Sequence, residues 1–255
     1  MNLKQIFLFI TIFNSFSFPQ FKKIGSDFNR FFRTGEDVLV SPSNWGKTDW
    51  LIFSGTIAVT SGTFLIDKHA RFFSKTSFGD KLFSIDNVFN VAIPVIGIAG
   101  IYGCGLIFDD SKVRNLGLQL VESCAYAGIV TTVIKSAAGR SRPYVGKGNM
   151  DWHSGQFNTA QTSFPSGHAT LAFAFSSVMA NYLDNIYWKV GWYTIASLVG
   201  TARIYHDKHW LSDVVMGSAI GYFIGDYASH DPENRSEQQA SPVQDYSLNF
   251  IIPLN

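Results

Sequence analysis

Six apolar stretches dominate the chain, at 50–66, 88–108, 116–134, 169–183, 190–205 and 214–228. None alternates as a half-buried strand would, so each reads as a helix. Several carry the Gly, Ala and Ser residues that let helices approach closely. No internal repeat is visible. Ahead of them, residues 18–49 place Phe21, Ile24, Phe28, Phe31 and Phe32 at helical spacing, with Lys and Arg between. That pattern predicts an amphipathic helix lying on the bundle or on a lipid surface. A polar tail from Ser229 to Val243, rich in Gln, Glu, Ser and Pro, is expected not to fold. The final apolar run, Tyr246 to Leu254, has no evident role. The expected fold is all-α, a bundle of about six helices over residues 50–228.

Whether those helices cross a membrane depends on their length. A span needs about 20 apolar residues, and only 88–108 meets that without a charge. The last three stretches are nearer the length of buried core helices. Glu122 and Asp226 fall within the third and sixth; in a span such charges face the bundle interior, and in a soluble bundle they sit at helix edges. Membrane embedding is the expectation and a soluble bundle the alternative. At the N-terminus, Lys4, the short apolar run Ile6–Phe13 and the small residues of Ser15-Phe16-Ser17 predict a signal peptide over 1–17. The protein is then expected in the cell envelope, membrane-bound, with its active site facing the periplasm or exterior. That orientation conflicts with a cleaved leader and six spans, which would put the functional loops inside. The 17-residue stretch 50–66, with its Thr, Ser and Gly, is the one expected not to span.

Composition narrows the class. Of 255 residues only 15% are charged, against 46% hydrophobic and 23 phenylalanines. Such a chain is neither disordered nor strongly solvated. Twenty basic residues against 19 acidic ones leave +1, so nothing argues for nucleic acid. The mean hydropathy of +0.10 leaves membrane and soluble readings both open. Cys104 and Cys124 have no CxxC or CxxxH spacing, which argues against zinc. Both lie in apolar runs and read as small core residues.

Three segments carry chemistry. In Lys135-Ser-Ala-Ala-Gly-Arg-Ser-Arg142-Pro143, Lys135 and Arg142 are seven apart and would share a helical face, with Pro143 ending the helix. Two cations there can grip a phosphate, although a basic flank is common on any apolar helix. In Pro165-Ser166-Gly167-His168, Ser166 and Gly167 open a helix whose N–H groups suit an anion, and His168 stands beside it as a proton donor. Alone, this segment reads better as a plain cap with a surface histidine. In the run from Arg203 to Asp213, His209 and Asp213 are four apart and would share a face. A carboxylate on one ring nitrogen frees the other to attack; the blander reading is an acidic residue stabilising a helix start. Counting helices decides. Lys135 and Arg203 end the third and fifth, while His168, His209 and Asp213 begin the fourth and sixth. An up-and-down bundle brings them all to one end, and unrelated caps would have no reason to gather there.

The pattern Lys-x6-Arg-Pro, Pro-Ser-Gly-His and Arg-x5-His-x3-Asp resembles the type 2 phosphatidic acid phosphatase (PAP2) superfamily, which also contains bacterial class A acid phosphatases and vanadium haloperoxidases. The resemblance covers about residues 50–228, with the motifs in order and correctly spaced. One departure is Ala202, where the family commonly has Ser before the third-motif Arg; a minor phosphate contact goes with it. The resemblance implies a phosphatase needing no metal or cofactor. His209 would attack phosphorus to form a phosphohistidine, oriented by Asp213. His168 would protonate the leaving oxygen and then activate water. Lys135, Arg142 and Arg203 would neutralise the phosphoryl oxygens, with Ser166 and the Gly167 N–H adding hydrogen bonds. Trp152, His153, His206, Asp207 and Lys208 lie near these motifs and are expected to have structural or loop roles. The leading expectation is hydrolysis of a lipid phosphate or pyrophosphate. A soluble acid phosphatase, a vanadate-dependent haloperoxidase and a silent phosphate-binding membrane protein are the alternatives.

Overall fold

The computed structural model describes residues 19–70, 75–87, 92–155 and 158–230. The leader 1–17, the tail beyond His230 and the run 246–254 lie outside the described residues. Eight α-helices follow in order: α1 (Pro19–Val40), α2 (Lys47–Ile66), α3 (Ser77–Phe83), α4 (Ala92–Ile107), α5 (Ser111–Ala138), α6 (Gly167–Leu183), α7 (Ile186–Tyr205) and α8 (Leu211–Ser229). No strand occurs among the described residues; one isolated antiparallel bridge joins Arg140 and Trp152. The six apolar stretches became α2 and α4 to α8. The longest uncharged run yields an α4 of only 16 residues, short for a span. Conversely α2, the stretch expected not to cross, is one of two described helices long and apolar enough to do so, with α5.

The bundle is built around α6, which packs against α5, α7 and α8. Its buried residues are nearly all small, among them Ala169, Thr170, Ala172, Ala174, Ser176 and Ser177. The facing helix supplies Gly217, Gly221 and Gly225, one per turn. A Cβ on these would meet Ser166 O at 2.5 Å, Thr170 O at 2.2 Å and Ala174 O at 2.6 Å. The α6 and α8 backbones therefore touch, and only glycine permits it. Larger apolar side chains fill a second cluster, where Leu116 and Leu120 of α5 meet Ile98 of α4 and Val178 of α6.

The two N-terminal helices, α1 and α2, turn polar residues inward and apolar ones outward. Thr60 is the one buried residue of α2, while Leu51, Val59 and Leu65 are exposed. Helix α1 buries Asp27 and Thr34 and exposes Ile24, Phe28 and Phe32. Its polar face is tied to α5: Arg30 pairs with Glu122 at 3.1 Å, the Thr34 hydroxyl donates to the same carboxylate, and Tyr126 Oη donates to Phe31 O. Glu122 is fully buried, so in this fold it occupies the bundle interior, not a helix edge. Asp226 accepts a 2.9 Å bond from Asn181 Nδ2. Cys104 corrects the core reading: it is exposed on α4, and Cys124 is half-buried.

Residues 67–87 were not expected to form any element. Thr76 accepts from Gly79 N–H to cap α3, and a 3-10 turn, Ser84–Asn87, follows. Tyr205 of α7 holds this segment, donating to Asp80 Oδ1 at 2.8 Å and packing its ring at a tilt against Phe83.

The backbone contact gives a direct test. Gly221→Ala forces α6 and α8 apart and should cost about 1–3 kcal/mol, read as a lowered melting temperature. A Gly128→Ala control, with nothing within 4 Å of its added Cβ, should leave the melting temperature unchanged or raise it slightly, since Ala favours a helix interior over Gly.

Candidate active site

The first motif turns on Gly139. Helix α5 ends at Ala138, and Gly139 takes φ +63 while its N–H caps Lys135 O. A Cβ there would lie 1.8 Å from His153 O, so a side chain is excluded. The chain then doubles back. The Ser141 N–H donates to Asp151 O, Ser163 N–H to Arg140 O and Arg142 N–H to Ala160 O, each at 2.9 Å. Lys135 and Arg142 thus do not share a helical face. Gly139 ends the helix four residues before Pro143, and the folded loop returns Arg142 close enough for its charge to act on Lys135. Lys135 Nζ donates to Thr162 O at 2.9 Å and to Pro165 O.

The second motif opens α6. Ser166 is the N-cap, its fully buried hydroxyl accepting from Ala169 N–H at 3.5 Å. Its own N–H donates to the Asp213 carbonyl at 2.8 Å, which locks the two helix starts together. A Cβ on Gly167 would stand 3.7 Å from Lys135 Cε, so the lysine stem lies along the bare glycine. His168 occupies the first turn, half-buried.

The third motif also departs from the helical expectation. His209 precedes α8, in the turn after α7, and its N–H donates to Arg203 O at 3.2 Å. Asp213 is the third residue of α8 and folds its carboxylate back over the helix start. Oδ2 accepts from Trp210 N–H at 2.8 Å and from Ser163 Oγ at 2.5 Å; Oδ1 accepts from Arg140 Nη1 at 2.5 Å. His209 Nδ1 lies 3.6 Å from Oδ2. The capping role and the histidine-facing role therefore belong to the same carboxylate. Arg203, in the last turn of α7, pairs through Nη1 with Asp86 at 2.7 Å.

His209 is 2% exposed. Burial pushes its imidazole down to about 3, against the opposing pull of Asp213. Burial and the charge of Arg203 hold Arg142 below its ordinary value, against the pull of Tyr144. Among the buried nitrogens without a hydrogen-bond partner, Arg142 Nε and Arg203 Nε belong to the motif cations. Buried polar groups are normally satisfied, so this end of the bundle is chemically suited to an anion. Among the described residues no three His, Cys, Asp or Glu gather as metal ligands.

Sequence reasoning missed four residues here. Arg140 is fully buried, ringed by Phe64, Trp152 and Trp210 at 4.5, 5.1 and 5.5 Å from the ring centroids. It pairs with Asp67 at the end of α2 as well as with Asp213. Ser163 and Asp86 complete the set. A second arginine two places before Arg142 was visible, but Asp67 and Asp86 stand in a stretch with no apolar pattern to place them. The motif neighbours serve the framework. Trp152 covers Arg140, and His153 Nε2 is 2.9 Å from Asp151. His206 Nε2 lies 3.3 Å from Phe83 O, Asp207 O accepts from Tyr144 N–H, and Lys208 sits over the Tyr144 ring. Ala202 is fully buried against Phe83 and Tyr205.

A family model described as the PAP2 superfamily matches residues 116–237, which include all three motifs. A lipid A 1-phosphatase of Porphyromonas gingivalis is 30% identical over 67% of this chain and 36% of its own length. A lipid A 1-phosphatase of Rhizobium etli is 30% identical over 42% of this chain and 46% of its own. The chain thus spans less than half the length of these curated relatives. A transmembrane PAP2-type phosphatidylglycerolphosphate phosphatase from Bacillus subtilis shares the fold. It has a TM-score of 0.52 at 21% identity, covering 87% of this chain and 97% of that one.

The depressed basicity of His209 predicts a stability effect. Between about pH 6.5 and 3 the unfolded chain takes up a proton at this histidine that the folded chain refuses. Stability therefore declines as pH falls through that window. His209→Gln should make the fall in melting temperature from pH 7 to 4 shallower than in the wild type; an equally steep fall would contradict the buried, neutral assignment.

Proposed function

Because residues 116–237 belong to the PAP2 superfamily, we propose that this protein hydrolyses a lipid-linked phosphate through a phosphohistidine, without a metal. The observation that carries the reading is that Lys135, Arg142, Arg203, His168 and the His209–Asp213 pair lie close enough for their charges to act on one another, in a bundle with exposed apolar helices. His209, kept neutral by burial, has a free lone pair on Nε2 at neutral pH, and Nδ1 faces Asp213. Nε2 attacks phosphorus as the ester oxygen leaves; His168, which burial and the charge of Arg203 hold down to about 4, gains its proton with the phosphate anion beside it and passes it to the leaving oxygen. The resulting imidazolium is stabilised by Asp213. In the second half His168 takes a proton from water, the hydroxide attacks phosphorus, and His209 is released. Lys135, Arg142 and Arg203 neutralise the phosphoryl oxygens throughout. Phosphoryl transfer asks the protein mainly for such positioning and charge stabilisation.

The lipid part of the reading rests on the exterior. Exposed apolar side chains run along α1, α2 and α4, and Tyr187 and Trp188 stand out at the start of α7. A contiguous apolar surface of this extent needs a cover, and a bilayer is the cover that suits helices whose polar groups point inward. A phosphate site at the bundle end then lies at headgroup depth while the substrate's chains stay in lipid. The named activities of the relatives, on lipid A and phosphatidylglycerolphosphate, support a lipid phosphate as substrate. By the same reading the protein resides in the cell envelope with its site towards the periplasm or exterior.

His209→Ala should abolish turnover of phosphatidic acid in detergent micelles, and Asp213→Asn should lower kcat by about 10³–10⁴-fold in protein that circular dichroism shows to be folded. Activity should survive EDTA, and vanadate should inhibit competitively. Long-chain lipid phosphates should give a higher kcat/KM than glycerol phosphate or a nucleotide. Equal efficiency on soluble esters would favour an acid phosphatase. Bromide and peroxide turnover with added vanadate, and no ester cleavage, would favour a haloperoxidase.

A further inference from the structure

The His209–Asp213 pair does not end at Asp213. Its Oδ1 is bound by Arg140 Nη1, which also donates to Ser212 Oγ at 2.7 Å. Arg140 Nη2 pairs with Asp67 Oδ2 at 2.7 Å, and Nε and Nη2 both donate to Asn149 O. Asp67 closes the circuit: Oδ2 accepts from Ser212 Oγ at 2.7 Å and Oδ1 from Ser212 N–H at 2.9 Å. Arg140, Asp67 and Asp213 are all fully buried. Asp67 lies outside the segment matched by the family model.

We propose that Arg140 and Asp67 are positioning residues for the reaction, forming with the catalytic pair a four-membered chain His209–Asp213–Arg140–Asp67. The inference rests on the phosphatase reading given above. Neither residue is placed to touch substrate, and both act through Asp213. The planar arginine fork fixes the carboxylate rotation, so that Oδ2 stays turned to His209 Nδ1 while Oδ1 is occupied. The charges also fit the reaction. One arginine between two carboxylates leaves a net charge of −1 beside a neutral His209. When phosphoryl transfer makes the ring cationic, the cluster balances it; Lys135 and Arg142, which also bear on His209, face the phosphoryl oxygens. Without Asp67, Arg140 and Asp213 neutralise each other and the imidazolium loses its counter-charge. The chain joins the end of α2 to the start of α8, so α2 has a part in catalysis though it supplies no catalytic group.

Asp67→Asn is the informative variant, being nearly isosteric, and Ser212→Ala is a milder second in case the first fails to fold. Wild type, both variants and His209→Ala are compared on phosphatidic acid in detergent micelles, after circular dichroism and melting confirm the fold. A misplaced or uncompensated group of this kind costs up to about 100-fold. Asp67→Asn should lower kcat roughly 10- to 100-fold, and Ser212→Ala roughly threefold, with KM within about twofold. The inhibition constant for vanadate, which resembles the transition state, should rise by the same factor as kcat falls, while that for inorganic phosphate stays put. A purely structural role would reduce the active fraction and leave the vanadate constant unchanged. That result, or wild-type kcat in folded Asp67→Asn or Ser212→Ala, overturns the proposal. Turnover persisting in His209→Ala would instead overturn the phosphatase mechanism itself, so the two failures are distinguishable.

Discussion

A buried arginine between two buried carboxylates is the constraint on which the functional end of the bundle depends. Charges out of water persist only if paired, and Arg140 finds its partners on three separate segments: Asp67 after α2, Asp213 in α8 and the Asn149 carbonyl in its own loop. Removing one member of such a set typically costs about 3–5 kcal/mol, so these segments are held in one arrangement. Phe64, Trp152 and Trp210 close around the guanidinium and keep it dry. Several contacts at this end of the bundle converge on the same aspartate. Ser163 and Trp210 N–H bind the carboxylate that Arg140 orients, and Ser166 N–H binds the carbonyl of the same residue.

A second constraint acts along the bundle axis. The glycines of α8 lay its backbone on that of α6, and this close approach sets the two helix starts side by side. His168 on one and Asp213 on the other are thereby brought to the same end. Outside this tight core the polarity reverses, with polar groups of α1 paired against α5 and phenylalanines outward. Fold and site thus favour the same surroundings: helices that satisfy their polar groups among themselves, and a cationic end able to meet a phosphate.

The helices and their order were legible because apolar runs of this length in a backbone that must satisfy its own hydrogen bonds have few alternatives. A candidate site was legible because Lys135, Arg142, His168, Arg203, His209 and Asp213 keep characteristic spacings within short segments. Local geometry was read less well, since spacing alone was converted into shared helical faces. His209 lies outside α8 and Arg142 outside α5. In each case a turn does the joining: the back-folded carboxylate of Asp213 in one, the left-handed Gly139 in the other.

Sequence by itself determined the helical class, the six principal segments and the short motifs that carry the candidate chemistry, because these follow from short-range periodicity and residue type. Only the tertiary structure decided what the charges face. Glu122 and Arg30 are 92 positions apart, Arg140 and Asp67 are 73, and Arg203 and Asp86 are 117. No local pattern announces such a pairing. It arises when packing removes water from a charge and leaves opposite charges from distant segments within reach as its partners.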